Sequence, residues 1–200
     1  MSSWFRHDTI IVVKDDAKIL SLVERLGNLM RAGARASGDG LEPVHREILG
    51  YLSVCNRYSD TPAGVTDYLG ATKGTTSQSI GVLERKGLVK KRPDKEDGRV
   101  VHLVLTATGR KMNGGGDVPE AFAEALSEME PGEKETLVRL LSKILTGLQR
   151  RNGGRTFGVC RTCRFFRENA LPRSHQCGLT LEPLSDVDSL KICREHEGAA

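Results

Sequence analysis

The chain has 200 residues and no stretch approaching the roughly 18 consecutive apolar residues that a membrane span needs. Its opening, MSSWFRHDTIIVVKDD, holds only the short apolar run Ile10–Val13, too little for a secretory leader. Cysteine is nearly missing from the first three-quarters, where Cys55 stands alone in a helical pattern and reads as a small buried core residue. A secreted disulfide scaffold spreads its cysteines through a small chain, so the expectation is a cytoplasmic protein whose thiols stay reduced or hold metal. Strong net charge is also lacking: the balance is +4, too mild to name a nucleic-acid partner by itself. There is no internal repeat. The glycine run Gly114–Gly116 is followed by no GK[ST], which excludes a phosphate loop. No nucleophile–base arrangement is recognisable, so the chain is not expected to be an enzyme.

What is present is periodic. Ile19, Leu22, Val23, Leu26, Leu29 and Met30 form an amphipathic stripe over residues 15–36, with 1–14 read as an arm. SGDG breaks that helix, and Pro43 opens another carrying Val44, Ile48, Leu49 and Leu52 on one face. Thr61-Pro62 signals a short helix to Leu69, stopped by Gly70. Thr72 caps the next, which runs to about Lys86 and stops at Gly87. Two short helices joined by a tight turn make a helix-turn-helix outline.

After Gly87 the period becomes two. Leu88–Arg92 and Val100–Thr106 flank the polar turn PDKEDG, predicting a β-hairpin with Val101, Leu103 and Leu105 on one face. The Gly114–Gly116 run should interrupt any helix there. A last long helix starts near Pro131, striped by Leu137, Leu140, Leu141, Ile144, Leu145 and Leu148, and ends at Asn152-Gly153-Gly154. The fold class is therefore mainly α with a β-hairpin wing: a winged helix-turn-helix domain over 15–152, with a small C-terminal metal-binding module over 153–200.

In the Thr72–Lys86 helix, Thr76, Ile80 and Leu83 share the core face. Lys73, Ser77 and Gln78 point the other way, with Thr75 flanking. Such a small polar face suits a major groove about 12 Å wide, where Gln78 can pair with adenine and Lys73 with guanine or phosphate. Thr72, at the helix N-terminus, suits a phosphate oxygen. Basic residues follow, among them Arg85, Lys90, Arg92 and Arg99, placed to neutralise phosphates, with Asp97 orienting Arg99 near the wing tip. Double-stranded DNA is the expected partner.

Residues 15–150 resemble the MarR family of winged helix-turn-helix regulators. The resemblance rests on GVTDYLGATKGTTSQSIGVLERKGLVKKRPDKEDGRVVHLVLTATGRK, including D-x-R at Asp97–Arg99 and LT-x-x-G at Leu105–Gly109. It implies a homodimer built from the first and last helices, reading a pseudo-palindromic operator. Many members take small aromatic ligands, but no residue set here marks such a pocket.

Four cysteines remain: Cys160, Cys163, Cys177 and Cys193, spaced C-x2-C-x13-C-x15-C among Phe165, Phe166, Leu179, Leu184 and other apolar residues. A segment of about 40 residues rarely folds unaided, so a metal centre is expected to supply its folding free energy. Zinc on Cys160, Cys163, Cys193 and His196 strands Cys177, while an all-cysteine zinc site has two isolated ligands. An iron–sulfur cluster tolerates isolated thiolates, and the pattern C-x2-C-x-F-F resembles high-potential iron–sulfur proteins and the small cluster-binding subunits of benzylsuccinate synthase. A [4Fe–4S] cluster is the preferred form, with [2Fe–2S] and zinc as alternatives. His175 and His196 read as supporting groups rather than ligands. The expected role is a DNA-binding regulator whose cluster senses redox state, iron or a reactive gas. Because the tail follows the last helix, the expected route of control is the spacing of the two recognition helices. An electron-transfer or enzyme-accessory protein, using the winged helix for protein contacts, is the reading from another class.

Overall fold

The computed structural model describes residues 5–36, 38–113, 118–151 and 155–198, with backbone alone for 5–14. Helix α1 spans Phe5–Ala36. It therefore begins well before the expected residue 15, and most of the anticipated arm is its first turns. It belongs to a compact unit of its own, Met1–Pro43; everything from Val44 onward forms a second. Within α1, Ile19, Leu22, Val23, Leu26, Leu29 and Met30 are all exposed.

The second unit is built around α2 (Pro43–Val54), α3 (Pro62–Leu69) and α4 (Lys73–Arg85). Both predicted starts hold in atomic detail. The Thr61 hydroxyl accepts the Gly64 N–H before α3, and the Thr72 hydroxyl accepts the Thr75 N–H before α4. Gly70 and Gly87 close these helices in the left-handed region, at φ 60° and 69°, where a Cβ is strained. Gly64 has a different reason: a Cβ there would run into the Ser59 carbonyl and the Tyr51 hydroxyl, so α3 lies close against the end of α2.

Strands β1 (Val89–Pro93) and β2 (Val101–Leu105) form the antiparallel wing, with Val89 opposite Leu105 and Lys91 opposite Leu103. Leu103 and Leu105 turn into a core with Ile48, Leu49, Val65, Ile80 and Leu83, all nearly fully buried. At α5 (Ala107–Met112), a Cβ on Gly109 would collide with the Leu88 carbonyl, which the Thr106 N–H and hydroxyl also approach. The LT-x-x-G sequence thus fastens α5 against the base of the wing. The Gly114–Gly116 run lies outside the described residues, but the helix does stop at Met112 and α6 (Glu120–Ser127) starts afresh. Helix α7 (Pro131–Arg151) follows, and among its described residues none is buried.

The last 40 or so residues fold into two small sheets. Strand β3 (Gly158–Val159) pairs with β7 (Ile192–Cys193). Strands β4 (Phe166–Leu171), β5 (Ser174–Cys177) and β6 (Pro183–Leu184) form a second, antiparallel sheet. Helix α8 (Asp186–Ser189) starts from a capping box of Ser185 and Asp188. Among the described residues, no helix is long and apolar enough to cross a membrane.

Candidate nucleic-acid interface and thiol chamber

Helix α4 presents two chemically distinct faces. Thr76, Ser79, Ile80 and Leu83 are buried, whereas Thr72, Lys73, Thr75, Ser77 and Gln78 are exposed. The predicted reading face is therefore on the surface, small and polar, with Gly74 within it. Arg85, Lys90, Arg92, Asp97 and Arg99 are exposed as well. Asp97 Oδ1 accepts both the Arg99 backbone N–H, at 3.0 Å, and the Arg99 Nε–H, at 3.2 Å. The acid thus shapes the turn and aims a guanidinium whose side chain is 94% exposed. Lys91, by contrast, is turned back to Glu84 of α4 at 2.9 Å, tying the wing to the helix.

A second tie joins the wing to the helix-turn-helix. The His102 imidazole lies between two carboxylates, with Nδ1 2.5 Å from Asp60 and Nε2 3.0 Å from Asp94. The hydrogen bond to Asp60, then that to Asp94, holds the imidazole pKa above its ordinary 6.5. Burial works against Asp60 and raises its carboxyl. Asp94 is drawn down to about 2, first by the N–H groups of Asp97 and Glu96, and is the firm anion of the three. The sign follows: a base with a raised folded pKa contributes fully below its unfolded value and loses that contribution as pH rises through the folded one. Protection of wing amides against hydrogen exchange is expected to hold below the ordinary imidazole value of 6.5 and to fall as pH climbs from there through the raised His102 value. His102→Gln should remove that pH dependence; an equal slope in the variant would exclude the imidazolium as its source.

The four C-terminal thiols meet at one place. Cys160, Cys163, Cys177 and Cys193 all line a single chamber, completed by Tyr58, Phe165, Phe166, Leu179 and Leu184. Its cavity volume is small, about 30 Å³, and its accessible lining is apolar. Local backbone bonds make the arrangement. The Cys163 N–H reaches the Cys160 carbonyl, and the Phe166 N–H reaches that of Cys163. The His196 N–H closes the matching turn on Cys193, and the Glu197 N–H points at Cys163 Sγ at 3.5 Å. A hydrogen bond from Cys160, helped by the Asn56 amide and the Glu195 N–H, draws the Cys193 thiol below its ordinary value. Its donor, Cys160, is pushed up by that same bond and by burial. Such a donor-rich surround stabilises a thiolate, the form that binds metal.

Neither histidine faces the chamber as a free ligand. His175 Nδ1 accepts the Asn169 N–H and its Nε2 lies 2.9 Å from Asp186. Both nitrogens of His196 sit 3.0 Å from threonine hydroxyls, Thr156 and Thr162. Among the described residues, no three His, Cys, Asp or Glu side chains close on a point as ligands of one ion. What the chamber does gather is four thiols on one apolar wall, and thiolate is the donor type that an iron–sulfur cluster takes.

A separate polar cavity of about 420 Å³ lies between α2, β2 and α5, with Arg57, Arg92, Arg110, Lys191 and Asp60 in its lining. Its walls are far apart in sequence, which is why no pocket was legible there.

Fold and surface together define a winged helix-turn-helix protein. Residues 39–100 match the MarR family model. Among solved structures, the chain is 25% identical to Staphylococcus aureus MepR in its DNA-binding conformation, with a TM-score of 0.56, over 66% of this chain and 98% of that one. A complex of Streptococcus pneumoniae FabT with DNA gives 23% identity and a TM-score of 0.55, over 70% and 98%. The S. aureus MepR–DNA complex gives 24% and 0.52, over 64% and 96%. No curated protein matches the sequence. The family match ends well before the first chamber cysteine.

Proposed function

We propose that this protein is a MarR-family transcriptional regulator that binds a pseudo-palindromic duplex as a homodimer and carries an iron–sulfur cluster on Cys160, Cys163, Cys177 and Cys193. The observation that carries the first part is the pairing of an exposed small polar face on α4 with the exposed basic wing. Lys73, Ser77 and Gln78 read the major groove, Thr72 and Thr75 hold a phosphate, and Arg85, Lys90 and Arg92 neutralise the backbone. Arg99, aimed by Asp97, enters the minor groove. The likeness to MepR in its DNA-binding conformation supports the same reading. A second copy of the chain is the natural cover for the apolar stripes that α1 and α7 leave exposed.

The cluster reading rests on the convergence of four thiols in one apolar chamber. A cluster is preferred over zinc because it uses all four thiols; [4Fe–4S] is the leading form, and [2Fe–2S], which also takes four cysteines, is the alternative. Zinc on three cysteines and His196 is disfavoured, since that imidazole is held by two threonines and Cys177 would be left over. When bound, a cluster supplies a group whose presence responds to iron supply and oxidants; the chain supplies thiolates, N–H donors and a dry wall.

Two measurements test the proposal separately. Protein purified without oxygen should contain iron and acid-labile sulfide in near-equal amounts; one zinc per chain and no iron would reduce the module to a structural staple. Duplex binding should weaken linearly in log affinity against log salt, with a slope near −0.9 per neutralised phosphate. No salt-dependent binding to any duplex would leave the electron-transfer or accessory reading.

A further inference from the structure

The cysteine module is clasped to the helix-turn-helix rather than hanging from α7. Phe157, held at φ 48°, packs its ring edge-on against both Tyr51 of α2 and Tyr68 of α3, with centroids 6.0 and 5.3 Å away; the two tyrosine rings themselves meet at 4.4 Å. The Asn56 N–H binds the Ile192 carbonyl at 2.9 Å, adding the module's last strand to the end of α2. Outside this core, Arg57 and Tyr58 both reach Glu182.

Through the centre runs a continuous polar chain. The Asn56 amide donates to Cys160 Sγ at 3.2 Å, and its Oδ1 accepts the Ser59 hydroxyl at 2.8 Å. Ser59 Oγ accepts the Arg194 backbone N–H at 2.8 Å. The Arg194 guanidinium grips Asp67 of α3 at 2.6 and 2.8 Å, with Arg155 alongside. Asp67 in turn offers its carbonyl to Gly70, the first residue of the turn that launches α4. Asn56 and Ser59 are almost fully buried, so the bonds these two make are costly to leave unmade.

We propose that Asn56 is a positioning residue linking the thiol chamber to the DNA-reading head, and that chamber occupancy is transmitted to α4 through Asn56, Ser59, Arg194 and Asp67 within one chain. This rests on the cluster reading and gives it a route that does not pass through the dimer helices. Filling the chamber fixes Cys160 and Cys193; emptying it frees the Asn56 amide and the strand carrying Arg194. The head then loses the grip on Asp67 that sets the α3–α4 turn. A bound group shifts this equilibrium because it favours the clasped state over the released one.

The test uses the full chain, purified without oxygen, and a duplex selected from a random pool. Iron and sulfide are measured first, then duplex affinity at fixed salt before and after iron is removed by a chelator with thiols kept reduced. The expected ratio of the two affinities is of the order seen for allosteric coupling, roughly 5–150-fold. Asp67→Asn and Arg194→Gln alter the partly exposed end of the chain and leave every thiol in place; each should keep full iron yet bring the ratio close to one. Asn56→Ser should lower the cluster's midpoint potential, because an N–H aimed at a ligand sulfur favours the more negative, reduced state. A ratio unchanged by both Asp67→Asn and Arg194→Gln overturns the route. A loaded wild-type protein with a ratio of one overturns it too, while the cluster reading stands. An iron-free wild type sinks the cluster reading, and this inference falls with it.

Discussion

Cys163→Ala is expected to abolish iron and sulfide incorporation and to leave the C-terminal module without a folded core. The cysteine module takes its order from turns closing on Cys160, Cys163 and Cys193, and its two small sheets bury little. Without a bound centre, a segment of this size does not offset the entropy of ordering its own chain. Metal sites in small modules contribute on the order of 10 kcal/mol to folding, so loss of one ligand outweighs any single apolar contact here. Cys163 is chosen because it lies away from the Asn56 contact that Cys160 makes. The released module would uncover Tyr51 and Tyr68, and the helix-turn-helix should lose about 2 kcal/mol or more of stability from that exposure. Iron analysis, limited proteolysis between residues 155 and 198, and thermal unfolding read these effects together. Wild-type iron content in the variant would mean that the chamber is not the cluster site.

The contrast between legible and hidden features is physical. The starts of α3 and α4, and the glycines that stop them, were readable because caps are written within four residues of the sequence. The wing was readable because alternation is local, and Leu103 and Leu105 do turn inward. The early start of α1 at Phe5 was missed because its first turns show no clear 3.6-residue stripe. The thiols could be grouped from spacing, but their common chamber depends on β3 pairing with β7 across more than 30 residues. Hidden altogether was the docking. Asn56 and Cys160 are 104 residues apart, Ser59 and Arg194 are 135 apart, and Asp60 meets His102 across 42. Nothing in a helical stripe says that a polar residue at its end will meet a sulfur. A buried Asn–Ser–Arg chain became visible only once the fold placed a second module over the end of α2. The expected route through the dimer helices therefore rested on chain adjacency, whereas the contacts run through space to α3.

Leu141→Glu in α7 is expected to convert the protein to a monomer and to cost at least about a hundredfold in operator affinity. Leu140, Leu141, Ile144, Leu145 and Leu148 are 43–56% exposed in the single chain, a continuous apolar row on a 21-residue helix. Helices of this kind are stable when their stripe is covered, and burying each leucine contributes about 1.5–3 kcal/mol. A two-fold interface meets itself, so one substitution places two carboxylates in the same apolar seam. Each would have to be desolvated without a partner, which costs more than the lost leucine. A monomer still carries α4 and the wing, so it should retain weak, salt-dependent duplex binding. What it loses is the second half-site, whose linkage is worth roughly 10²–10⁴ in avidity. Lys143→Glu, on the same helix but outside the leucine row, should leave the dimer intact and separates burial from charge. Sedimentation at micromolar concentration and titration with one-half-site and two-half-site duplexes distinguish the cases. If Leu141→Glu remains dimeric with full two-site affinity, the stripe on α7 is covered by something other than a second copy, and the recognition helices are not paired through it.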